Sequence, residues 1–387
     1  MGTEPHIVIL GAGFGGLAAA TELNHLAGEG KVRVTLVERN RHFSMGFSMQ
    51  WTLVGRRPLE AGLRSFDNLA ARHVAFLHDE VVGIDTAARA VFTRSRRLDY
   101  DALLVATGAE LAPEVIPGLS EGAFNLCDGP SVLQLRAAVE TLKRGTLLIA
   151  VTTVPFKCPP APYEYALLLD DVLRQRGVRD DVRVVMTTPE PQPMPVAGKA
   201  VGDAVKALLA DRGIEYFPAR KITGVDARRR VVSYEGSPQI AYDLFAAMPP
   251  HRAPKVVREA GLADASGFVP VDLRTMRTAV DGVYAVGDVA ALKLPGGSPH
   301  PKAGVFAEAQ GLTAARTIAV QLLGGEAPTY AGSGTCFVDT GREEAAPAEI
   351  HLLAEGGPRA VLGPPSAAGL AGKREFERER LARWFGR

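Results

Sequence analysis

Three cysteines, Cys127, Cys158 and Cys336, are the residues of this chain best suited to redox or nucleophilic chemistry. None belongs to a CxxC pair, so neither a zinc site nor a thioredoxin-like motif is indicated, and their odd number points to thiol chemistry before structural staples. Cys158 lies in the most informative stretch, Pro155-Phe156-Lys157-Cys158-Pro159-Pro160. This stretch follows the apolar run Gly145–Val151, where a second nucleotide-binding fold would carry its glycine loop. Prolines on both sides suit a constrained turn. A thiol reacts as its thiolate, so Cys158 needs a lowered pKa or a nearby base, and Lys157 and Glu164 are the neighbours able to tune it. Glu164, on the helix expected after Cys158, is the candidate general base; the alternative is an ordinary first-turn acid favoured by the helix dipole. The alternative for Cys158 is a buried, inert thiol.

The elements that position these groups begin at the N-terminus. His6–Leu10 reads as a strand, Gly11-Ala12-Gly13-Phe14-Gly15-Gly16 as a glycine loop, Leu17–Leu26 as a helix and Val32–Val37 as the next strand, ending in Glu38. Strand, GxGxxG, helix, strand and acid in this order form a dinucleotide fingerprint. Gly11 permits the tight turn, Gly13 lets the backbone approach a pyrophosphate and Gly16 lets helix and strand pack closely. Glu38 is placed to accept hydrogen bonds from a ribose, with Phe14, Gly15 and Arg39 alongside. Tyr100–Ala109, carrying Ala106, Thr107 and Gly108, and Gly282–Val289, carrying Gly287 and Asp288, resemble the second and third signatures of two-dinucleotide flavoproteins. That resemblance implies FAD, with Asp288 hydrogen-bonded to the ribityl chain.

The expected fold class is α/β, with two Rossmann-like units, the second inserted into the first, and a small C-terminal region. The boundaries read as 1–109 and 266–324 for the flavin unit, 110–265 for the inserted unit and 325–387 for the remainder. In the inserted unit Thr146–Val151 and Asp181–Met186 read as strands, and Pro162–Gln175 and Lys199–Arg212 as helices. Its phosphate loop is missing: Thr152–Pro160 has no glycine, and its prolines offer no N–H to a pyrophosphate. The following strand ends in Thr187-Thr188-Pro189 with no acid at its tip. Nicotinamide binding is therefore expected to be lost. Ala303–Gln321 reads as a helix, Thr335–Asp339 as a short strand, and the stretch after it as a loop rich in Gly, Pro and Ala.

A net charge of +1 argues against a nucleic-acid partner held by a broad basic face. No run of about 18 apolar residues offers a membrane span, and Met1–Pro5 leads straight into a strand without a signal peptide, so a cytoplasmic location is expected. One segment suggests a peripheral membrane contact. In Lys373–Arg387, Leu381, Trp384 and Phe385 share a helical face flanked by Arg378, Arg380, Arg383 and Arg387, suited to an anionic membrane surface. The alternative is a helix that docks Trp384 and Phe385 into the protein's own core.

PFKCPPAPYE resembles the signature of the sulfide:quinone oxidoreductase family, which includes the flavocytochrome c sulfide dehydrogenase flavoproteins. GAGFGG, VATGA, AVGDVA, HPKAG and TCFVD follow in the family's order and spacing. The resemblance implies a redox-active pair at Cys158 and Cys336 over the flavin, opened by sulfide to leave a persulfide, with electrons passing through FAD to a quinone. It further implies that Cys127 matches a third essential cysteine, holding a sulfur chain or a covalent link to the flavin. Lys302, with Ala303 beside it in HPKAG, would then supply a fixed cation at the flavin's pyrimidine edge. Where familiar members often have a histidine after the third cysteine, this chain has Asp128-Gly129-Pro130-Ser131. Other readings of the same residues are a cytochrome acceptor, an NAD(P)H-dependent disulfide or persulfide reductase, and a flavin redox sensor without turnover. A homodimer is compatible with all of them.

Overall fold

The computed structural model describes residues 4–326 and 328–386. Met1–Thr3 of the expected N-terminal lead and Arg387 of the basic tail lie outside the described residues.

His6–Leu10 forms a strand buried along its whole length, packed by helix Phe14–Gly28 and sharing its core with Val91 of strand Ala90–Thr93. That sheet is parallel, in the order Val283–Ala285, Ala102–Val105, His6–Leu10, Arg33–Glu38, Ala75–His78. Its edge strand is thus supplied from far along the chain. The helix Phe14–Gly28 follows the first strand and packs on Gly304–Leu323. Their contact is glycine against glycine, since a Cβ on Gly311 would lie 2.2 Å from the Gly15 carbonyl oxygen.

A second parallel sheet runs Phe124–Asn125, Leu244–Met248, Gly145–Val151, Val182–Thr187, Glu215–Phe217. It has its own core, into which Leu147, Ile149, Phe156, Leu167 and Met186 pack. Both units carry a three-stranded antiparallel ribbon, spanning residues 81–99 in the first and 222–241 in the second. The α/β class and the doubled Rossmann-like arrangement are as expected.

The C-terminal part departs from the sequence reading in two ways. The stretch taken for a loop contains two further strands, Glu344–His351 and Arg359–Leu362, which form an antiparallel sheet with Ser333–Gly341. Helix Ala161–Gln175 of the second unit packs against this sheet. The final helix, Ala367–Phe385, is capped by Ser366, whose hydroxyl accepts from the Gly369 N–H. Its aromatic edge is not available to a membrane: Trp384 is 1% exposed and Phe385 5%, both within the core of the first unit. Hydrophobic burial there wins because Phe14, Phe43 and Phe66 already form a receptive aromatic wall. No helix among the described residues is long and apolar enough to cross a membrane.

Candidate active site

The glycine loop closes as the fingerprint requires. A Cβ on Gly16 would fall 1.9 Å from the Gly11 carbonyl oxygen, so helix and strand meet with no room for a side chain. Gly13 caps the helix without a side chain of its own, and the space where its Cβ would stand is empty. That opening, with the helix N-terminus beside it, suits a pyrophosphate. Glu38 Oε2 accepts from the Ala12 N–H at 2.9 Å, and Oε1 accepts from Asn40. Arg39 is exposed next to it. The Phe14 ring meets Phe43 and Trp384, leaving only its backbone to face the loop.

Across the sheet, Ala106 is buried and Thr107 has a buried hydroxyl with no hydrogen-bond partner, while the space beside Gly108 is open. Gly287 donates its N–H to Gln310, and the Asp288 carbonyl accepts from Lys302 Nζ at 2.7 Å. An orphaned hydroxyl, an open glycine cradle and a nearby carboxylate fit a flavin dinucleotide. The residues that would hold it are Gly11, Gly13, Gly16, Glu38, Thr107, Gly108, Gly287 and Asp288.

Lys302 is buried, donating also to the Ala290 carbonyl at 3.0 Å and standing 3.8 Å from the Phe268 ring centre. Burial lowers its pKa to about 8, with the Asp288 charge opposing the shift. Ala303 lines the same small cleft as Lys302, Gly287 and His300.

The thiol loop is pinned to this segment. The Cys158 N–H donates to the Lys302 carbonyl at 2.7 Å, and the Ala161 N–H, opening the next helix, donates to the Cys158 carbonyl at 2.8 Å. Cys158 has φ of 56°, a left-handed conformation uncommon for a residue with a side chain. Phe156 fills the core where a glycine loop would have left space.

All three cysteines are free thiols and partly buried. Glu164 links the segments of Cys158 and Cys336: its helix opens with the Ala161 N–H on the Cys158 carbonyl, and its Oε1 accepts from the Asp339 N–H on the strand that carries Cys336. Burial, then the Glu164 charge, pushes the Cys158 thiol far above its ordinary range and the Cys336 thiol up to about 12. Cys127 is raised to about 11 by burial, with the Lys157 charge pulling the other way. Its sulfur meets Met248 Sδ at 3.8 Å. Cys127 and Cys158 both pack against the core of the second unit, where the Tyr165 hydroxyl donates to the Leu126 carbonyl at 2.8 Å. The Asp128 that stands where relatives often have histidine serves as a helix cap, accepting from the Ser131 N–H at 2.9 Å.

Glu164 is not a free base. Its Oε1 accepts from the Asp339 N–H at 2.7 Å and from Lys373 Nζ at 2.6 Å, and its Oε2 accepts from Gln50 Nε2 at 2.7 Å. Both carboxylate oxygens are thus engaged, with a cation against one of them.

Sequence reasoning missed four groups here: Gln50, Asp339, Lys373 and His251. Lys373 was legible in principle, because positions 373, 377, 381 and 384 fall on one helical face. His251 is buried with neither ring nitrogen in a well-formed hydrogen bond. Burial and the charges of Lys157 and Lys302 depress its pKa to about 3. Its position between proline-rich turns left no pattern to read.

Comparison with known proteins agrees with this geometry. A mitochondrial sulfide:quinone oxidoreductase from Dictyostelium discoideum is 29% identical over 304 residues, 74% of this chain and 65% of that protein, so the match spans just under two thirds of the relative. A sulfide-quinone reductase from Aquifex aeolicus (strain VF5) is 25% identical over 364 residues, covering 87% of this chain and 82% of the relative. The crystal structure of the sulfide:quinone oxidoreductase from Aquifex aeolicus superposes with a TM-score of 0.87 at 24% identity, over 97% of this chain and 90% of that one. The resemblance carried by PFKCPP and its companion motifs is borne out by these relatives. The model of the pyridine nucleotide-disulphide oxidoreductases matches residues 5–143 and 164–311, passing over the segment that carries Cys158. With well over half of its length matched, the chain belongs to the pyridine nucleotide-disulphide oxidoreductase family and is an oxidoreductase.

Proposed function

We propose that this chain oxidises sulfide, or a related sulfur species, at the Cys158/Cys336 pair, with FAD carrying the electrons to a quinone. The observation that carries this reading is the convergence of the thiols. Cys158 is anchored by its N–H to the same Lys302 whose ammonium caps the Asp288 turn, and Cys336 lies on a strand of a separate sheet whose Asp339 N–H donates to Glu164, on the helix that follows Cys158.

Starting from the pair as a disulfide, hydrosulfide attacks one sulfur and breaks the S–S bond. That cysteine becomes a persulfide and its partner leaves as a thiolate, with no change in atoms or electrons. FAD, if held by the cradle of Gly11, Gly13 and Gly16, would supply the two-electron acceptor that release of sulfur requires. The left-handed turn at Cys158 holds its sulfur on a rigid loop, and Lys302 keeps a positive charge beside the Asp288 turn at neutral pH. On this reading Cys127, packed against the same core as Cys158, would hold a growing sulfur chain. The division into a flavin unit of residues 1–109 and 266–324 and an inserted unit of 110–265 belongs to the same reading. So does a quinone rather than a nicotinamide partner: Phe156 and flanking prolines occupy the second loop, where a pyrophosphate would need glycine and free N–H groups.

Anaerobic mixing of the flavin-loaded protein with sulfide, in parallel with NADH, tests this directly. Sulfide bleaches the flavin's visible band and NADH leaves it unchanged; bleaching by NADH alone overturns the proposal. Reoxidation by a soluble quinone, compared with cytochrome c, then identifies the acceptor.

A further inference from the structure

The least expected group near the sulfur site lies on the last helix. Lys373 is only 3% exposed. Its ammonium donates to Glu164 Oε1 at 2.6 Å and to Gln50 Oε1 at 3.2 Å, stands 4.0 Å from Asp339 Oδ2, and lies 5.1 Å from the centre of the Phe47 ring. These partners come from three further elements: Gln50 from helix Ser48–Leu53, Glu164 from helix Ala161–Gln175, and Asp339 from the strand that carries Cys336. A lysine buried this deeply is costly unless its charge is matched, and here it is matched against a carboxylate on the helix that opens at the Cys158 carbonyl, which also accepts from the Asp339 N–H on the Cys336 strand.

We propose that Lys373 is a positioning residue for sulfur chemistry, offsetting the Glu164 charge so that a thiolate can form at Cys158 and Cys336. The inference rests on the reading that this pair reacts. The charges around the pair make the case. Asp339 is answered by Arg56, whose Nη1 lies 2.5 Å from Oδ2. Glu308, on helix Gly304–Leu323, is clasped by Arg380 and Arg383 at 2.7 Å each. Lys157 is next to Cys158 in the chain, and the Lys302 carbonyl holds its N–H. Glu164 has no arginine, and Lys373 is its one cationic contact among the described residues. Opening the pair creates a new negative charge facing Glu164. Lys373 favours that charge at Cys158, and at Cys336 Arg380 does so first, with Lys373 adding to it. Without Lys373, an unanswered carboxylate would oppose the thiolate in a site with little water to screen it.

The test is the pH dependence of thiol alkylation in the full flavin-loaded protein, reduced and then labelled with iodoacetamide, with each cysteine followed by peptide mass spectrometry. Lys373→Met is expected to slow labelling of Cys158 and Cys336 about tenfold at a given alkaline pH, the equivalent of one pKa unit. Cys127 should be unchanged, and Lys373→Arg should restore most of the rate. Glu164→Gln, which removes the opposing charge without removing volume, is expected to act in the opposite direction and speed labelling of both. Should Lys373→Met not fold, Glu164→Gln and the doubly neutral Glu164→Gln/Lys373→Met variant carry the test, since a buried pair is often replaceable as a unit. Unchanged profiles in Glu164→Gln or in a flavin-loaded Lys373→Met overturn the inference. Sulfide bleaching of the wild-type protein is scored separately, so a failed reaction and a failed role for Lys373 give different results.

Discussion

The indole of Trp384 meets the ring of Phe14 edge-on, with centres 5.2 Å apart and planes at 85°. The final helix is thereby fastened to the turn that opens the first one. Phe43 completes the contact, 5.6 Å from Trp384, and the Glu308 clasp of Arg380 and Arg383 fixes the helix along its length. A segment whose composition suits a membrane surface is instead one wall of the dinucleotide unit.

Trp384→Ala is accordingly expected to cost about 3–5 kcal/mol of stability, the usual range for emptying a buried aromatic site. Urea denaturation followed by fluorescence or circular dichroism checks it. A helix destined for a membrane surface would leave the midpoint unmoved and lose vesicle binding instead.

Cys158→Ser and Cys336→Ser are each expected to keep the flavin and lose sulfide-driven bleaching, by on the order of 10⁴-fold or more. Stopped-flow absorbance under anaerobic conditions measures the loss. Retention of a rate near that of the wild type in either variant removes that cysteine from the reaction.

For Cys127, with its thiol raised to about 11 by burial, the thiolate is a small minority at neutral pH. Its labelling by iodoacetamide should climb close to tenfold per pH unit from pH 7 towards pH 10. A plateau near pH 8 would show an ordinary exposed thiol.

Lys302 carries its charge below a pKa of about 8 and loses it above. On the proposed reading this cation stands beside the flavin, where it would favour the reduced, negative form. Lys302→Met is therefore expected to lower the flavin midpoint potential at pH 7 by about 30 mV or more, equivalent to roughly 1.4 kcal/mol for two electrons. The difference should shrink above pH 9, where wild-type Lys302 is itself neutral. Spectroelectrochemical titration at the two pH values decides.

Glu190 offers a stability test outside the sulfur site. It is buried beside Tyr163 and Thr188, and burial raises its pKa to about 7. A carboxyl whose folded pKa lies above its unfolded value is held neutral by the fold, so ionisation costs stability as pH rises from about 4.5 to 7. Glu190→Gln is expected to gain roughly 1–3 kcal/mol over wild type at pH 8 and little at pH 4.5. Thermal melts of both proteins at the two pH values measure the difference.

The first unit was readable because its signals are local: a strand, a glycine loop and an acid within forty residues set out a complete mechanical unit. Cys158 was readable for a related reason, being a substitution within an expected pattern. The environment of Glu164 was not, since Gln50, Asp339 and Lys373 reach it from three distant elements. The sheet after Cys336 was hidden by its composition. Pro347 sits in the middle strand, yet pairing with Arg359–Leu362 begins at Ala348, so its missing N–H breaks no rung on that side. Glu190 was passed over because it lies beyond the strand tip and turns inward to Tyr163.

The edge strand Val283–Ala285 lies parallel against Ala102–Val105. The dinucleotide sheet therefore stays without its border until the chain has been made past residue 285. A chain arrested near residue 270 would lack both that strand and Lys302, whose carbonyl holds the Cys158 N–H. One late-made segment, residues 283–302, thus completes the first sheet and fastens the thiol loop of the second.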